Sequence, residues 1–144
     1  MPPTQASSAG AAHEAWSLFW RIFSSDKPRR MAVFSELGLS FQQSMALMHL
    51  EADAPVQMSA LAASLQCDNS NVTGIVDRLE AAGLAERRPA ERDRRVKTVV
   101  LTPHGEAVRD EVRRRAGTPP PEIARLSDAD AEQLREILQR ALDG

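Results

Sequence analysis

The stretch that decides the fold of this chain is NSNVTGIVDRLEAAGLAERRPAERDRRVKTVVLT, residues 69–102. Its first part has the i, i+3, i+4, i+7 apolar spacing of a helix with one buried face. The apolar positions are Val72, Ile75, Val76 and Leu79. Gly83 fits the position just after a helix end. Thr102 and Pro103 fit the N-cap and first residue of a further helix. The stretch predicts a helix, a strand, a basic loop, a strand and a helix, in that order.

The face opposite the apolar stripe is polar. Short polar side chains near a helix N-terminus suit the edges of bases and phosphates. Gly74 costs about 1 kcal/mol relative to Ala inside a helix, so it indicates that something approaches the helix closely. Taken alone, this helix fits an amphipathic core helix with a solvated face equally well. The predicted DNA contacts on the helix are Ser70, Asn71, Thr73, Gly74 and Arg78.

The basic loop favours the DNA-binding interpretation. Five arginines lie between residues 87 and 95, and arginine pairs with phosphate through a planar fork and enters narrow minor grooves. Asp93 precedes Arg95 by two positions, where its carboxylate can orient the guanidinium. The predicted contacts of this loop are Arg92, Asp93, Arg94, Arg95 and Lys97. A polar-faced helix followed by a basic hairpin is the working part of a winged helix-turn-helix.

The preceding residues supply the rest of that fold. Ser40 and Gln43 form a capping box that opens a helix expected to end near residues 53–55. Residues 56–58 are a candidate third strand, and Ser59 is expected to cap a short helix. Farther along, Ser127 with Asp130 predicts a second capping box. The predicted fold class is mainly α with a small β-hairpin wing: a winged helix-turn-helix core flanked by N- and C-terminal dimerisation helices.

Residues 70–105 resemble the DNA-binding domain of the MarR family of bacterial transcription regulators. Asp93-Arg94-Arg95 matches the family's Asp-any-Arg wing motif, and Leu101-Thr102 with Gly105 matches its LT..G boundary. The resemblance covers most of the chain and is loose at the first residues and after about residue 115. At 117–121 the chain breaks the following helix earlier than many relatives do. The resemblance implies a two-fold dimer on operator DNA and a repressor released by a small molecule.

The charge distribution is compatible with DNA binding even though the chain has a formal net charge of −2. Eleven of its 18 basic residues fall within 78–115, and none falls within 31–77. Local charge decides phosphate contact, so a slightly acidic total does not exclude DNA. The expected divisions are a flexible tail (1–10), an N-terminal dimerisation region (11–38), a DNA-binding lobe (39–102) and C-terminal dimerisation helices (103–144).

Both ends of the chain predict a homodimer. Residues 15–23, AWSLFWRIF, are apolar almost all round a helix, and such a helix must be buried almost all round. A second copy is the expected cover, together with the apolar stripe of the last helix. The aromatic side chains have a second interpretation as the wall of a pocket for a small aromatic effector, although dimer core is favoured. The predicted effector contacts are Trp16, Trp20, Phe23, Met45, Met48 and His49.

Other function classes fit less well. The three histidines are scattered, and no acid pair, nucleophile–base spacing or phosphate loop stands out, so no enzyme and no cofactor are expected. The single cysteine, Cys67, excludes a disulfide within the chain and a zinc site of the usual spacing. Cys67 precedes the polar-faced helix, so one alternative is a redox-responsive regulator that acts through this thiol. A second alternative is a winged helix used for protein contact. No membrane segment is expected, and the predicted location is the cytoplasm.

Overall fold

The computed structural model describes residues 8–144. Within them, eight helices and a three-stranded antiparallel sheet confirm the predicted fold class. The elements are α1 (Ser8–Ser25), α2 (Lys27–Glu36), α3 (Phe41–Met48), β1 (Val56–Gln57), α4 (Met58–Ser64), α5 (Asn69–Ala81), β2 (Ala85–Pro89), β3 (Lys97–Leu101), α6 (Pro103–Ala116), α7 (Pro121–Ala124) and α8 (Asp128–Asp143). The tail expected at 1–10 falls mostly outside the described residues, and its last three residues belong to α1.

The described chain forms two compact units. One spans Arg29–Gly117 and contains α3 to α6 and the sheet. The other contains the described residues up to Pro28 and Thr118–Gly144, and therefore α1, α7 and α8. We call them the central unit and the terminal unit.

Helix α5 lies against the core of the central unit, where it packs on α3, α4 and β2. All four side chains of its predicted apolar stripe are at most 2% exposed. Burying such an aliphatic side chain contributes about 1.5–3 kcal/mol before the entropy of ordering is subtracted. The stripe therefore fixes which face of α5 remains outside.

The sheet has the order β1–β3–β2, with β3 paired antiparallel to both neighbours. Val56 lies opposite Val99, which confirms the predicted third strand, although β1 has only two residues. Ala85 lies opposite Leu101, and Pro89 lies opposite Lys97. We call β2, β3 and the connection between them the wing, and residues 90–96 the wing tip. Because residues 98–101 of β3 are buried, the sheet fixes the wing to the core.

A tight contact joins the end of α5 to the start of α6. Gly83 follows the C-cap of α5 with a φ of +72°, as predicted. Thr102 caps α6: its hydroxyl accepts a hydrogen bond from the Gly105 backbone N–H (2.9 Å) and donates one to the Gly83 carbonyl oxygen (2.6 Å). A Cβ atom on Gly105 would lie 1.8 Å from the carbonyl oxygen of Leu84. Packing therefore requires glycine at position 105.

The helix expected to continue to about residue 53 ends at Met48, with His49 as its C-cap. The capping box at its start, between Ser40 and Gln43, is present as predicted. The early end has a tertiary cause. The Leu50 carbonyl oxygen accepts a hydrogen bond at 2.6 Å from buried Arg109, and the backbone of Glu51 pairs with that of Leu101.

One predicted cap was wrong, and one predicted capping box is incomplete. Ser59 does not cap α4, because β1 runs directly into the helix and makes Gln57 the N-cap, without a side-chain hydrogen bond. Ser127 does cap α8, and its hydroxyl accepts from the Asp130 backbone N–H at 3.2 Å. Asp130 does not complete the box, because its carboxylate accepts from the Ser127 hydroxyl at 2.8 Å instead. The capping box normally uses the longer Glu or Gln at this position.

In the terminal unit, the apolar side chains of α1 and α8 are exposed in the single chain. Trp16 is 61% exposed, and Trp20 is 55% exposed. The rings contact one another along α1: Trp16 and Phe19 are stacked with centroids 5.5 Å apart, and Trp20 and Phe23 are tilted with centroids 5.9 Å apart. On α8, Ile137, Leu138 and Leu142 are also exposed. None of the described helices has the length and hydropathy of a membrane span.

Candidate nucleic-acid interface

The start of α5 is fixed by its N-cap, Asp68. Its carboxylate accepts hydrogen bonds from the Asn71 backbone N–H and from the Ser70 hydroxyl, each at 2.8 Å. These two hydrogen bonds, the backbone one foremost, hold the pKa of Asp68 below its ordinary value. The negative charge of Asp68 also interacts favourably with the positive N-terminal end of the α5 helix dipole.

The polar residues of α5 differ in how much they have to offer a ligand. The hydroxyl of Ser70 already donates to Asp68, and that of Thr73 donates to the Asn69 carbonyl oxygen at 2.8 Å. The side chains of Asn71 and Arg78 are exposed, and neither has a polar partner in residues 8–144. Among the predicted helix contacts, these two are best placed to reach an external ligand.

Gly74 has no packing reason to be glycine. A Cβ atom at this position would meet nothing within 4 Å, and its φ is not in the left-handed region. Within residues 8–144, no atom therefore makes the close approach to Gly74 that the sequence indicated.

The wing tip is ordered around Asp93. Its carboxylate accepts from the Arg95 backbone N–H at 3.1 Å and from the Arg95 guanidinium Nε at 3.2 Å. The ends of the tip are tied by a 2.9 Å hydrogen bond from the Ala90 N–H to the Val96 carbonyl oxygen. The Arg95 side chain is 93% exposed even so. The predicted orientation of Arg95 by Asp93 is therefore present in the fold.

The remaining wing cations at the predicted site are Arg92, Arg94 and Lys97. All three are exposed, and none makes a side-chain hydrogen bond or ion pair with another described residue. The wing also borders a groove of about 390 Å³ with α5 and the start of α4. Its lining includes Ser59, Asn69, Thr73 and Lys97. Helix α5 and the wing are thus two sides of one surface.

Sequence reasoning missed the role of Arg87, which it counted only among the arginines of the loop. Arg87 belongs to β2, and its side chain turns back to α5 rather than outward. Nη2 donates to Asp77 at 2.7 Å and to the Thr73 carbonyl oxygen at 3.2 Å, and Nη1 donates to Glu80. Burial lowers the pKa of Arg87, but the hydrogen bonds and charges of Asp77 and Glu80 outweigh it and raise the pKa above its ordinary value.

The predicted effector contacts fall into separate groups. Trp16, Trp20 and Phe23 form a continuous aromatic row on α1. Met45 and His49 line a cavity of about 220 Å³ in the central unit, together with Cys67. Met48 does not line that cavity and packs against the core. Cys67 also packs against the core, which is typical of a cysteine that acts as a small apolar side chain. Among the described residues, no His, Cys, Asp and Glu side chains cluster as a metal site would require.

Comparison with known proteins identifies the family. The MarR family model matches residues 37–96. An uncharacterized HTH-type transcriptional regulator from Bacillus subtilis, YfiV, is 30% identical over 95 residues, which cover 66% of this chain and 59% of that protein. The match therefore spans about three fifths of the length of that relative.

Solved structures share the fold. A transcriptional regulator from Thermotoga maritima has a TM-score of 0.73 and 26% identity, with 91% of this chain and 93% of that chain covered. A mutant of MepR from S. aureus, solved bound to an oligodeoxyribonucleotide, has a TM-score of 0.62 and 22% identity over 89% of this chain and 96% of that chain. By its family model, its relatives and its fold, the chain belongs to the MarR family of helix-turn-helix transcriptional regulators.

Proposed function

We propose that this protein regulates transcription by binding double-stranded DNA as a homodimer in the cytoplasm. The observation that carries the proposal is the surface shared by α5 and the wing, which presents Asn71, Arg78 and the cations of the wing tip outward. Helix α5 would enter a major groove, and Arg95 would enter the adjacent minor groove. The DNA-bound MepR mutant of the same fold supports DNA as the ligand.

A second copy of the chain is proposed from the exposed apolar side chains of the terminal unit. Large exposed apolar patches mark interaction sites, and two-fold symmetry allows one such surface to cover itself in a second copy. The proposed interface contains Trp16, Phe19, Trp20, Leu134, Ile137 and Leu138. A dimer carries two α5 helices, so its operator would be a pseudo-palindrome with half-sites about 10 bp apart, centre to centre.

Selection from random double-stranded DNA, followed by sedimentation of the complex, tests the proposed function. We expect one pseudo-palindromic sequence to be enriched, with one dimer bound per duplex. Affinity should fall steeply as the salt concentration rises, because lysine and arginine side chains that bind the phosphates release counterions from the DNA. Enrichment of no sequence, or a stable monomer at micromolar concentration, would contradict the proposal.

Asn71 and Arg78 should affect binding in different ways. Asn71→Ala should relax base preference at one position of each half-site, at a cost of about 1–3 kcal/mol for the preferred base. Arg78→Ala should weaken binding to all sequences alike and reduce the salt slope by about 1 for each half-site, as expected for a lost phosphate contact. Binding titrations against single-base variants of the operator distinguish the two. Equal losses on every sequence in both variants would show that Asn71 does not read a base.

Gly74→Ala should separate stability from DNA binding. Alanine in a helix interior is favoured by about 1 kcal/mol over glycine, and no described side chain or backbone atom obstructs the new methyl group. The variant should therefore melt at a higher temperature than the wild type. It should also bind the operator more weakly, because the methyl group would stand between α5 and the DNA. Thermal melts test the expected gain in stability, and binding titrations test the expected loss of operator affinity. Unchanged affinity would place Gly74 outside the contact surface.

We propose that the regulator is a repressor that a small aromatic effector releases from DNA. The proposed contacts are the aromatic row of α1 (Trp16, Trp20 and Phe23) and, as a separate candidate in the central unit, the cavity lined by Met45 and His49. An effector can lower DNA affinity only by as much as it prefers the conformation that binds DNA poorly. Since Trp16 and Trp20 are the only tryptophans of the chain, phenolic acids that quench tryptophan fluorescence should also weaken operator binding. Compounds that quench without changing operator affinity would count against this site.

A further inference from the structure

We propose that Arg87 is a positioning residue of the DNA-binding surface, which locks the wing to α5 and partly offsets the negative charge of two carboxylates beside the outer face of α5. It does so without contacting phosphate. This inference rests on the proposed function, because it names which arginine of the wing does not itself bind the DNA. It assigns Arg87 a role different from that of Arg92, Arg94 and Arg95, its neighbours in the sequence.

The hydrogen bonds of Arg87 carry the first step. Its three acceptors on α5 come from residues 73, 77 and 80, which lie along one edge of the helix. Its own backbone N–H also donates to the Glu80 carboxylate at 3.3 Å. A guanidinium is a planar fork with fixed donors, so one side chain engages two carboxylates and a carbonyl group at once. Rotation of the wing away from α5 would break all of these hydrogen bonds together.

Exposure carries the second step. The side chain of Arg87 is 25% exposed, whereas that of Arg95 is 93% exposed. With its donors directed to α5, Arg87 has little left to offer a phosphate. The neighbouring arginines at 92 and 94 have no such partners among the described residues. In the wing, Arg87 therefore stabilises the fold, whereas Arg92, Arg94 and Arg95 remain exposed to a ligand.

Charge carries the third step. The side chain of Asp77 is 61% exposed and that of Glu80 is 35% exposed, so both carboxylates lie near the surface that would meet DNA. Without Arg87, two uncompensated negative charges would stand beside the phosphates and repel them. The loss of Arg87 should thus weaken DNA binding through Asp77 and Glu80, and removing those carboxylates should correct the defect.

A rescue experiment on the full chain tests this. Arg87→Gln should weaken operator binding about tenfold, within the range of coupling energies between contacting groups. Adding Asp77→Asn and Glu80→Gln to that variant should return affinity to within about threefold of the wild type, since the repelling charges are then gone. The matched control adds the same two substitutions to Arg94→Gln, where the gain in affinity should be smaller, because the substitutions also remove the carboxylates that hold Arg87 on α5. A triple variant as weak as Arg87→Gln, or equal recovery in the Arg94 background, would overturn the charge role.

Amide hydrogen exchange without DNA tests the lock by itself. Exchange at the backbone amides of residues 87 and 88 and in the wing tip should accelerate in Arg87→Gln and stay unchanged in Arg94→Gln, with the core amides of α5 protected in both. Unchanged exchange in Arg87→Gln would overturn the lock. If the wild-type protein enriched no DNA sequence, the proposed function would fail, while the exchange measurement would still decide whether Arg87 fixes the wing.

Discussion

Gly105→Ala is expected to destabilise the protein by about 3 kcal/mol or more, the upper part of the range for inserting atoms into a packed site. The added Cβ atom would lie 1.8 Å from the Leu84 carbonyl oxygen and 2.7 Å from the carbonyl carbon. That carbonyl group cannot easily retreat, because it also accepts a hydrogen bond from the Thr102 N–H at 3.2 Å. A domain of this kind is stable by about 5–15 kcal/mol in total, so the loss is a large fraction.

Urea unfolding of Gly105→Ala and Gly74→Ala measures this effect with a matched control. Both variants add one methyl group to a helix, but only the first adds it against backbone. We expect the denaturation midpoint to fall for Gly105→Ala and to rise for Gly74→Ala, with similar m-values. A midpoint for Gly105→Ala within error of the wild type would mean that α6 can shift away from the turn after α5 at little cost.

Arg95→Ala is expected to cause the largest loss of operator affinity among single wing variants, about 10- to 100-fold for each half-site. Asp93 already holds its backbone and guanidinium, so little side-chain freedom remains to be lost on binding, and a preorganised contact is stronger. Because the side chain is 93% exposed, its removal should leave the melting temperature of the protein unchanged. A gel-shift titration beside a thermal melt separates binding from stability.

Asp93→Asn and Arg114→Ala are the companion variants for this measurement. Asp93→Asn should cause a smaller loss than Arg95→Ala, because Arg95 remains but is held less firmly. Arg114 is an exposed arginine on α6 that pairs with Glu111 at 2.6 Å, and its replacement should leave operator affinity nearly unchanged. If Arg114→Ala were as damaging as Arg95→Ala, the loss would reflect total charge and not a contact of the wing.

Local signals were sufficient for much of the fold. The apolar stripe of α5, the glycine at 83 and the caps at Ser40, Thr102 and Ser127 all lie where the sequence predicted them. Each depends on neighbours within a few residues, such as a hydroxyl and the backbone N–H three positions later. The contact between Asp93 and Arg95 was predictable for the same reason, because two positions separate them.

The errors and omissions arise from contacts distant in sequence. The end of α3 is set by Arg109, 59 positions from its acceptor at Leu50. The start of α4 is set by the pairing of β1 with β3. Arg87 looked like its neighbours because Asp77 and Glu80 come close to it only when the wing folds back on α5. Gly105 matched a family motif, but its packing against Leu84 requires the assembled turn.

The central position of β3 also bears on how the protein folds during synthesis. Residues 97–101 supply the hydrogen-bonding partners of both other strands, one of which precedes them by about forty positions. Until the ribosome has released this segment, both earlier strands have unpaired edges, and the helices that precede them have no sheet to close their core. Domains generally fold as units as they emerge, so we expect the central unit to become protease-resistant only in nascent chains that include β3. A fragment that ends at residue 96, where the family model stops matching, would retain the reading helix but lack the strand that completes the unit.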